Sequence, residues 1–327
     1  MASKKGISAV RLKTIYSRQD SPNWDSSYIP SILASPQEAP KISHAITLTP
    51  AKLKGRETHL LSIPERNAAL LGLYHPQVIG LQEQRMLWPE AGNHPLWTFP
   101  GIDKTDLPQI KGVIDVAERL GYIDLLPRLN IENCYEPCNP ITVIFPWVGD
   151  LLWLVQPSPE KIYCVNWSVK DTYHDFKRPA PPRVGKIITP KESRAVLGRH
   201  EIENTYYKDA KIRTIQVADK AIDHHVSANL RQLFLHHRQE LLLTAEQREE
   251  ILYKYRAALD TGIPPSEVIL IFLERGKYTK DQCRSLFFQA IWNRELRVDL
   301  FRPILINRPQ WPEVRDVAEV YADWFKE

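Results

Sequence analysis

Two apolar segments separated by four residues constrain the fold of this chain more than any other feature of its sequence. The segments DLLWLVQ (150–156) and KIYCVNWSVK (161–170) read as buried strands, and the intervening PSPE is a turn signal. This pattern predicts a β-hairpin. A charged residue stands at each outer end, Asp150 and Lys170, so the hairpin brings an acid and an amine side by side.

The segments on both sides of this hairpin alternate between helical and extended patterns, which predicts an α/β fold. Upstream, THLLSIPERNAALLGLYHP (58–76) indicates a helix that stops at His75-Pro76, and QVIGLQEQRML (77–87) indicates a strand. Downstream, we expect a helix from about Arg194 to Asp209, the strand IRTIQVA (212–218) and the helix SANLRQLFLHHRQELL (227–242).

Composition divides the chain into three parts. Residues 1–50 are polar, proline-dotted and basic at their start, which predicts an extended arm that orders on a partner or a plain flexible tail. Residues 51–240 form the predicted main domain, in which the Pro- and Trp-rich stretch 86–140 reads as an insertion around one amphipathic helix. Residues 241–327 carry three helix patterns, the first starting at Thr244 with capping-box spacing, and the short strand pattern LRVDL. This order predicts a small winged-helix-like domain.

Composition and charge also limit the class of protein. With 43% hydrophobic and 25% charged residues the chain can bury a core, and its apolar runs are too short to cross a bilayer. Because no apolar signal core follows the N-terminus, we expect a cytoplasmic protein. The net charge of +4 permits DNA binding without requiring it. Four cysteines, including the CxxxC pair Cys134 and Cys138, are interpreted as buried or incidental thiols.

The charged ends of the hairpin suit a metal-dependent nuclease. Mg²⁺ prefers carboxylate and phosphate oxygens, and a nearby lysine activates water and stabilises the charge that develops on phosphorus. Glu65, on the helix of segment 58–76, is available as a further acid. Together with Asp150 and Lys170 it follows the logic of the PD-(D/E)xK nuclease core, with Mg²⁺ as the cofactor and Mn²⁺ expected to substitute. The structural alternative is that Asp150 is a turn residue at a strand end, that Lys170 is a solvated strand terminus and that Glu65 belongs to a charged helix face.

Three segments, in order along the chain, resemble the TnsA-type endonucleases, the nuclease subunits of the heteromeric transposase of Tn-seven-like elements. PERNAALLGLYHPQVIGLQEQRMLWP is similar to the opening of that family, a helix with an early glutamate and then an hhPxVxxhxEQ segment. EIENTYYKDAKIRTIQVADKAIDHHVSANLRQLF is similar to its run after the active-site lysine, and FFQAIWNRELRVDLFRPI to the end of its winged helix. The matches extend from about residue 57 to residue 306.

The resemblance implies a restriction-endonuclease-like core, a mixed sheet flanked by helices, followed by the winged-helix-like domain. Glu65 matches the helix glutamate that binds metal, Asp150 the aspartate that bridges metals, and Lys170 the catalytic lysine. Ser168 departs from the pattern, because the family usually has Gln or Glu there. A serine hydroxyl is a poorer ligand than a carboxylate, and the backbone carbonyl of Val169 is the alternative.

Further matches concern residues around this triad. Glu83 and Gln84 match the family's EQ pair, which is expected to orient the metal ligands. The 85 residues between Glu65 and Asp150 exceed the expected spacing, because of the insertion. Four basic residues soon after the lysine are expected to hold the DNA backbone: Lys177, Arg178, Arg183 and Lys186.

By this resemblance the chain cuts the 5′ strands at transposon ends during cut-and-paste transposition. Its expected partners are the transposon DNA, a DDE-type transposase that cuts the 3′ strands, and an AAA+ ATPase regulator that it contacts through its C-terminal domain. One alternative is a stand-alone PD-(D/E)xK restriction or repair nuclease, which would bind DNA tightly without partners. The other is a non-catalytic adaptor with a degenerate nuclease core that binds DNA or protein, a reading compatible with the departure at Ser168.

Overall fold

The protein folds into two compact units. The computed structural model describes residues 6–41, 43–132, 140–178 and 189–327. The first unit contains the described residues up to Ala69, those of Gln77–Ala221, and Trp324–Glu327, and the second contains Leu70–Pro76 and Ile222–Asp323.

Helices and strands alternate in the first unit, as expected for an α/β fold. In chain order they are α1 (Ala9–Gln19), β1 (Ile46–Leu48), β2 (Thr58–Leu60), α2 (Ile63–Tyr74, whose last turns belong to the second unit), β3 (Val78–Glu83), β4 (Met86–Leu87), α3 (Val113–Arg119), β5 (Arg128–Ile131), β6 (Ile141–Ile144), β7 (Trp147–Val148), β8 (Leu151–Ser158), β9 (Lys161–Lys170), α4 (Pro190–Asp209) and β10 (Arg213–Ala218). Short 3-10 turns cover Ala51–Leu53, Pro95–Thr98, Ile123–Leu125, Tyr173–Phe176 and Asp219–Ala221.

A four-stranded mixed sheet lies at the centre of this unit, in the order β3, β8, β9, β10. Strand β8 pairs antiparallel with both β3 and β9, whereas β9 and β10 are parallel. A parallel pair needs a long crossover, which contains α4 here. The predicted class, a mixed sheet flanked by helices, is therefore confirmed. The predicted hairpin is confirmed as well, with its turn at residues 159–160.

The two faces of the sheet differ because side chains alternate along each strand. On one face, Ile202 of α4 joins Leu152 and Leu154 of β8 in a buried apolar cluster. On the other face, Trp153 and Trp167 are fully buried and meet edge-on, with their ring centroids 5.4 Å apart. The polar residues near the C-terminal end of β9 lie on the face that α4 covers.

The end of the chain packs on the face of the sheet that carries Trp153 and Trp167. The Trp167 Nε1–H donates to the carbonyl of Trp324 at 2.7 Å, and the Phe325 ring centroid lies 4.9 Å from that of Trp167. The hydroxyl of Tyr163 donates to the carbonyl of Phe325 at 2.9 Å. Removing the whole segment after residue 241 would therefore also uncover the indole of Trp167.

The prediction of an extended or flexible arm is wrong for residues 9–19, which form helix α1. Ser8 caps the helix by accepting the N–H of Arg11, and Ile15 is only 1% exposed because it packs with Met86 and Phe145. Buried Gln19 accepts the N–H of Met86 at 3.0 Å. The polar, proline-dotted composition concealed an apolar helix side whose partners lie far along the chain.

The second unit is mainly helical, and all its residues are described. Its helices beyond α2 are α5 (His224–Phe234), α6 (Ala245–Thr261), α7 (Pro265–Glu274), α8 (Lys280–Trp292) and the short α9 (Val317–Val320), and a 3-10 turn covers Ala322–Trp324. The predicted capping box at Thr244 is confirmed, and Gly262 ends α6 at a φ of 71°. The predicted strand LRVDL is wrong, since only Val298 pairs, with Pro312. Proline has no N–H to extend the ladder.

Two further expectations can be compared with the described residues. Cys164 and Cys283 are buried free thiols, whereas Cys134 and Cys138 lie outside the described residues. Across the described ranges, none of the helices has the length and apolar character needed to cross a membrane.

Candidate active site

Glu65 lies in the first turn of α2, and the local sequence fixes its carboxylate. Its Oε2 accepts the N–H of Leu61 at 2.9 Å, and its Oε1 accepts the hydroxyl of Ser62 at 2.9 Å. The Ser62 oxygen in turn accepts the N–H of Glu65 at 3.2 Å. The bond from Glu65 N–H to Ser62 is the N-cap half of a capping box, whereas the Glu65 carboxylate accepts the N–H of Leu61 instead of that of Ser62. Capping thus explains where Glu65 lies, but not the charged groups that face it.

Gln84 joins Glu65 to the start of β8. Its Nε2 donates to Oε2 of Glu65 at 2.9 Å, and its backbone N–H donates to the carbonyl of Asp150 at 2.9 Å. Gln84 also adopts a left-handed backbone conformation, with φ at 48°. That conformation is costly for residues other than glycine and is often retained at functional sites. Gln84 therefore holds two of the predicted site residues at a cost in backbone strain.

Glu83, the other member of the EQ pair, lies in a separate environment. Its two carboxylate oxygens accept Nη1–H and Nη2–H of Arg56, both at 2.8 Å, and Oε1 also accepts the N–H of His59 at 3.0 Å. The strand register pairs Glu83 with Leu151, whose side chain lies on the sheet face opposite to Asp150. Glu83 therefore fixes β2 and β3 and does not enter the site.

The hairpin brings the acid and the lysine to one edge of the sheet. Leu151 pairs with Trp167, so the next position places Asp150 opposite Ser168, and Lys170 lies two residues farther on the same face. Oδ2 of Asp150 accepts the N–H of Val169 at 2.7 Å. Val169 thus contributes its backbone N–H to the site, by orienting the acid, and its buried side chain points to the opposite face.

The contacts of Gln84 and the hairpin register bring the three predicted residues to the same region of the first unit. Burial, and then the charge of Asp150, raise the pKa of Glu65 to about 7. The N–H of Leu61, the Ser62 hydroxyl and the ammonium of Lys170 act in the opposite direction without cancelling the effect. Near neutral pH the carboxyl group of Glu65 therefore exchanges a proton with solvent.

Helix α4 adds a buried acid that the sequence did not indicate. Glu203 is 3% exposed, and its Oε1 accepts Nδ2–H of Asn166 at 3.0 Å. Burial raises the pKa of Glu203 and Asp150 raises it further, while Arg199 and Lys170 lower it. A third carboxyl group thus lies within electrostatic reach of the acid and lysine at the hairpin ends.

The same helix brings a histidine to the site. Nδ1 of His200 lies 3.4 Å from Oγ of Ser168, and burial, then the charges of Lys170 and Arg199, lower the pKa of His200 to about 4. His200 is therefore neutral near pH 7. The signal that would have found these residues is the spacing of His200, Glu203 and buried Tyr207, which lie three and four residues apart and so share one helix side.

Ser168 is buried between the strand and α4. It lines an open cleft of about 360 Å³ together with His200, Glu203, Thr214 and Gln216. Its hydroxyl has room for a ligand, but the carboxylate that the family pattern expects at this position is absent. Glu203 lines the same cleft, and its carboxylate comes from the helix.

The predicted DNA-binding residues are described only in part. Lys177 and Arg178 are exposed and follow the 3-10 turn Tyr173–Phe176, which a Thr172–Asp175 capping box begins. Arg183 and Lys186 lie outside the described residues. The two described cations lie within eight residues of Lys170 along the chain.

The donors at this site fit a hard divalent cation by their chemistry. Within the described ranges, no three His, Cys, Asp or Glu side chains lie together at metal-binding distances. Glu65, Asp150 and Glu203 nevertheless offer carboxylate oxygens, which Mg²⁺ prefers. Burial, and then the charge of Asp150, raise the pKa of Glu65, and a divalent cation would offset both effects by stabilising the charged carboxylate.

Comparison with known proteins adds no family assignment. No protein-family model matches the chain, and no curated protein matches it either.

Proposed function

We propose that this protein is a Mg²⁺-dependent DNA endonuclease with a restriction-endonuclease-like core of the PD-(D/E)xK type. The observation that carries the proposal is the meeting of Glu65, Asp150 and Lys170 at one edge of the mixed sheet, from positions distant in sequence. The order helix, three antiparallel strands, crossover helix and parallel strand also agrees with such a core.

In this proposal each residue has a defined task. Asp150, oriented by the N–H of Val169, and Glu65, held by Gln84, bind the metal through carboxylate oxygens. When bound, Mg²⁺ lowers the pKa of its water and neutralises charge on the scissile phosphate. Lys170 orients the attacking water and stabilises the negative charge that develops on phosphorus.

Glu203 replaces the missing acid of the strand motif. Ser168 has only a hydroxyl where a carboxylate or amide is expected, and Glu203 reaches the same side of the site from α4. Neutral His200 lies against Ser168 and adds no positive charge that would repel the metal. The alternative ligand at this position, the carbonyl of Val169, is not needed when Glu203 contributes.

The biological setting follows from the resemblance to the TnsA-type endonucleases. The enzyme cuts the 5′ strands at transposon ends, while a DDE-type transposase cuts the 3′ strands and an AAA+ ATPase regulates both. The helical second unit is proposed to be the winged-helix-like domain that contacts the ATPase. Genes for a DDE transposase and an AAA+ ATPase beside this coding sequence would support this setting.

The test is strand-specific cleavage of transposon ends in a reaction reconstituted with the transposase and the ATPase of the same element. Asp150→Ala and Lys170→Ala should each lower 5′-strand cleavage by at least about 100-fold, because both act on charge in the transition state, and should leave 3′-strand cleavage intact. Matched controls are Asp171→Ala and Lys220→Ala, which alter an exposed pair 3.8 Å apart next to the site.

Two outcomes would contradict this assignment. Persistent 5′-strand cleavage by Asp150→Ala or Lys170→Ala would exclude the proposed active site. Efficient Mg²⁺-dependent cleavage of DNA by the protein alone would instead favour the stand-alone nuclease.

A further inference from the structure

A second cleft of about 470 Å³ opens beside the candidate active site within the first unit. Its lining includes Arg11 and Ile15 of α1, Phe145, Trp147 and Val148 around β7, and Arg199 of α4. Gln84 also lines it. Its volume falls in the range of about 300–1,000 Å³ typical of sites that enclose a small organic ligand.

The cleft combines a flat aromatic surface with positive charge. The guanidinium of Arg199 lies 5.0 Å from the centroid of the Trp147 ring, and its Nη2 donates to the carbonyl of Val148 at 2.8 Å. Arg11 brings a second guanidinium from α1 to the same lining. An aromatic ring that carries a guanidinium over one face, with a second guanidinium in the same lining, matches a ligand with a planar ring and an anionic group.

The cleft is continuous with the residues that hold the acids. Val148 precedes Asp150 by two positions, and Gln84 contacts both Glu65 and the carbonyl of Asp150. Arg199 lies near enough to Glu203 to lower the pKa of that carboxyl group. The cleft and the acids therefore share Gln84 as a common wall.

We propose that this cleft binds one unpaired nucleotide of the DNA strand that is cut, with its base stacked on Trp147 and its phosphate near Arg11 and Arg199. This rests on the proposed nuclease function. A base inside a duplex has both faces covered by its neighbours, so only an unstacked base can lie on the indole. Aromatic stacking and guanidinium contacts are the usual means of holding single-stranded DNA.

The test uses the full chain in metal-free buffer and a single-stranded oligonucleotide that contains 2-aminopurine, whose fluorescence is quenched on stacking. We expect wild-type protein to quench the probe. Trp147→Ala should abolish the quenching and weaken binding about tenfold, since a stacked base contributes about 1–3 kcal/mol. Trp147→Phe keeps an aromatic ring and should restore both signals.

The matched control is Trp311→Ala in the second unit. Trp311 also lies under a guanidinium, that of Arg302 at 4.4 Å, but it is 58% exposed and outside the cleft. This variant should bind the probe as wild type does. Arg11→Gln should lower the salt dependence of binding, reducing the slope of log affinity against log salt by about 0.7, the value for one phosphate contact with a single strand.

The proposal is overturned if folded Trp147→Ala and Trp147→Phe both bind and quench the probe as wild type does, or if wild-type protein does not quench it. The readout needs neither metal nor cleavage. Failure here therefore counts against the cleft alone, whereas 5′-strand cleavage by Asp150→Ala counts against the nuclease function alone.

Discussion

Glu83 and Glu65 are both buried glutamates in the first unit, but their surroundings are opposite in charge. Glu83 is 0% exposed and forms a two-bonded ion pair with Arg56, so its charge is balanced within the fold. Glu65 is 8% exposed and faces another acid, Asp150, and its burial together with the charge of Asp150 raises its pKa. A balanced buried acid is costly to remove, because its partner would be left buried without a counter-charge. An unbalanced one costs stability and indicates a site that a ligand completes.

The largest expected difference between the two glutamates is in the free energy of unfolding that is lost when each is substituted. Glu83→Ala would leave the guanidinium of Arg56 buried without its partner and should lower the free energy of unfolding by about 3–5 kcal/mol. Glu65→Gln, measured above about pH 7, should cost no more than about 1 kcal/mol, because it also removes an unfavourable charge. Urea titrations measure both. Equal destabilisation by the two substitutions would show that both acids are structural.

The pH dependence of stability in metal-free buffer tests whether charging of Glu65 destabilises the fold. Glu65 has a folded pKa of about 7, above its ordinary value, so its charging destabilises the fold as the pH rises from about 4.5 to about 7. Glu65→Gln should therefore gain stability relative to wild type over that range, by roughly 3 kcal/mol. His200 has a folded pKa of about 4, below its ordinary value, so its protonation destabilises the fold as the pH falls from about 6.5 to about 4.

The matched variant for this measurement is His200→Asn. It should match the pH response of wild type above about pH 6.5 and gain relative stability below it, again by roughly 3 kcal/mol. The two substitutions thus act in opposite pH directions. Parallel stability curves for wild type and Glu65→Gln from about pH 4.5 to 8 would show that the carboxyl group of Glu65 is neither buried nor held near Asp150 as described.

The parts of the fold that the sequence predicted are those with local signals. The hairpin follows from its turn residues, and helix α6 follows from the Thr244 capping box and Gly262. Helix α1 could not be predicted in this way, because Met86 and Phe145, which cover Ile15, lie distant in sequence. Stability of such elements depends on tertiary partners more than on intrinsic propensity.

The candidate site likewise contains residues that the sequence predicted and residues that only the structure revealed. Glu65, Asp150 and Lys170 stand at element ends, where a charged residue beside an apolar run is visible in the sequence. His200 and Glu203 lie inside a long polar helix, and only the packing of α4 decides which side meets the sheet. A buried acid on a helix can be identified only after the partner surface of that helix is known.

The smallest expected effects are on 5′-strand cleavage, and they distinguish the role of Glu203 from that of Ser168. Glu203→Gln removes the carboxylate that we propose replaces the acid of the strand motif, and it should lower 5′-strand cleavage by about 10- to 100-fold. Ser168→Ala removes a hydroxyl that lies 3.4 Å from His200 and should change cleavage by no more than about twofold, since Glu203 remains. Both are measured at several Mg²⁺ concentrations, because a ligand defect is relieved by more metal whereas a folding defect is not. A complete loss of cleavage in Ser168→Ala, with Glu203→Gln active, would make the hydroxyl the essential ligand. The strand would then supply the third ligand despite the departure at residue 168.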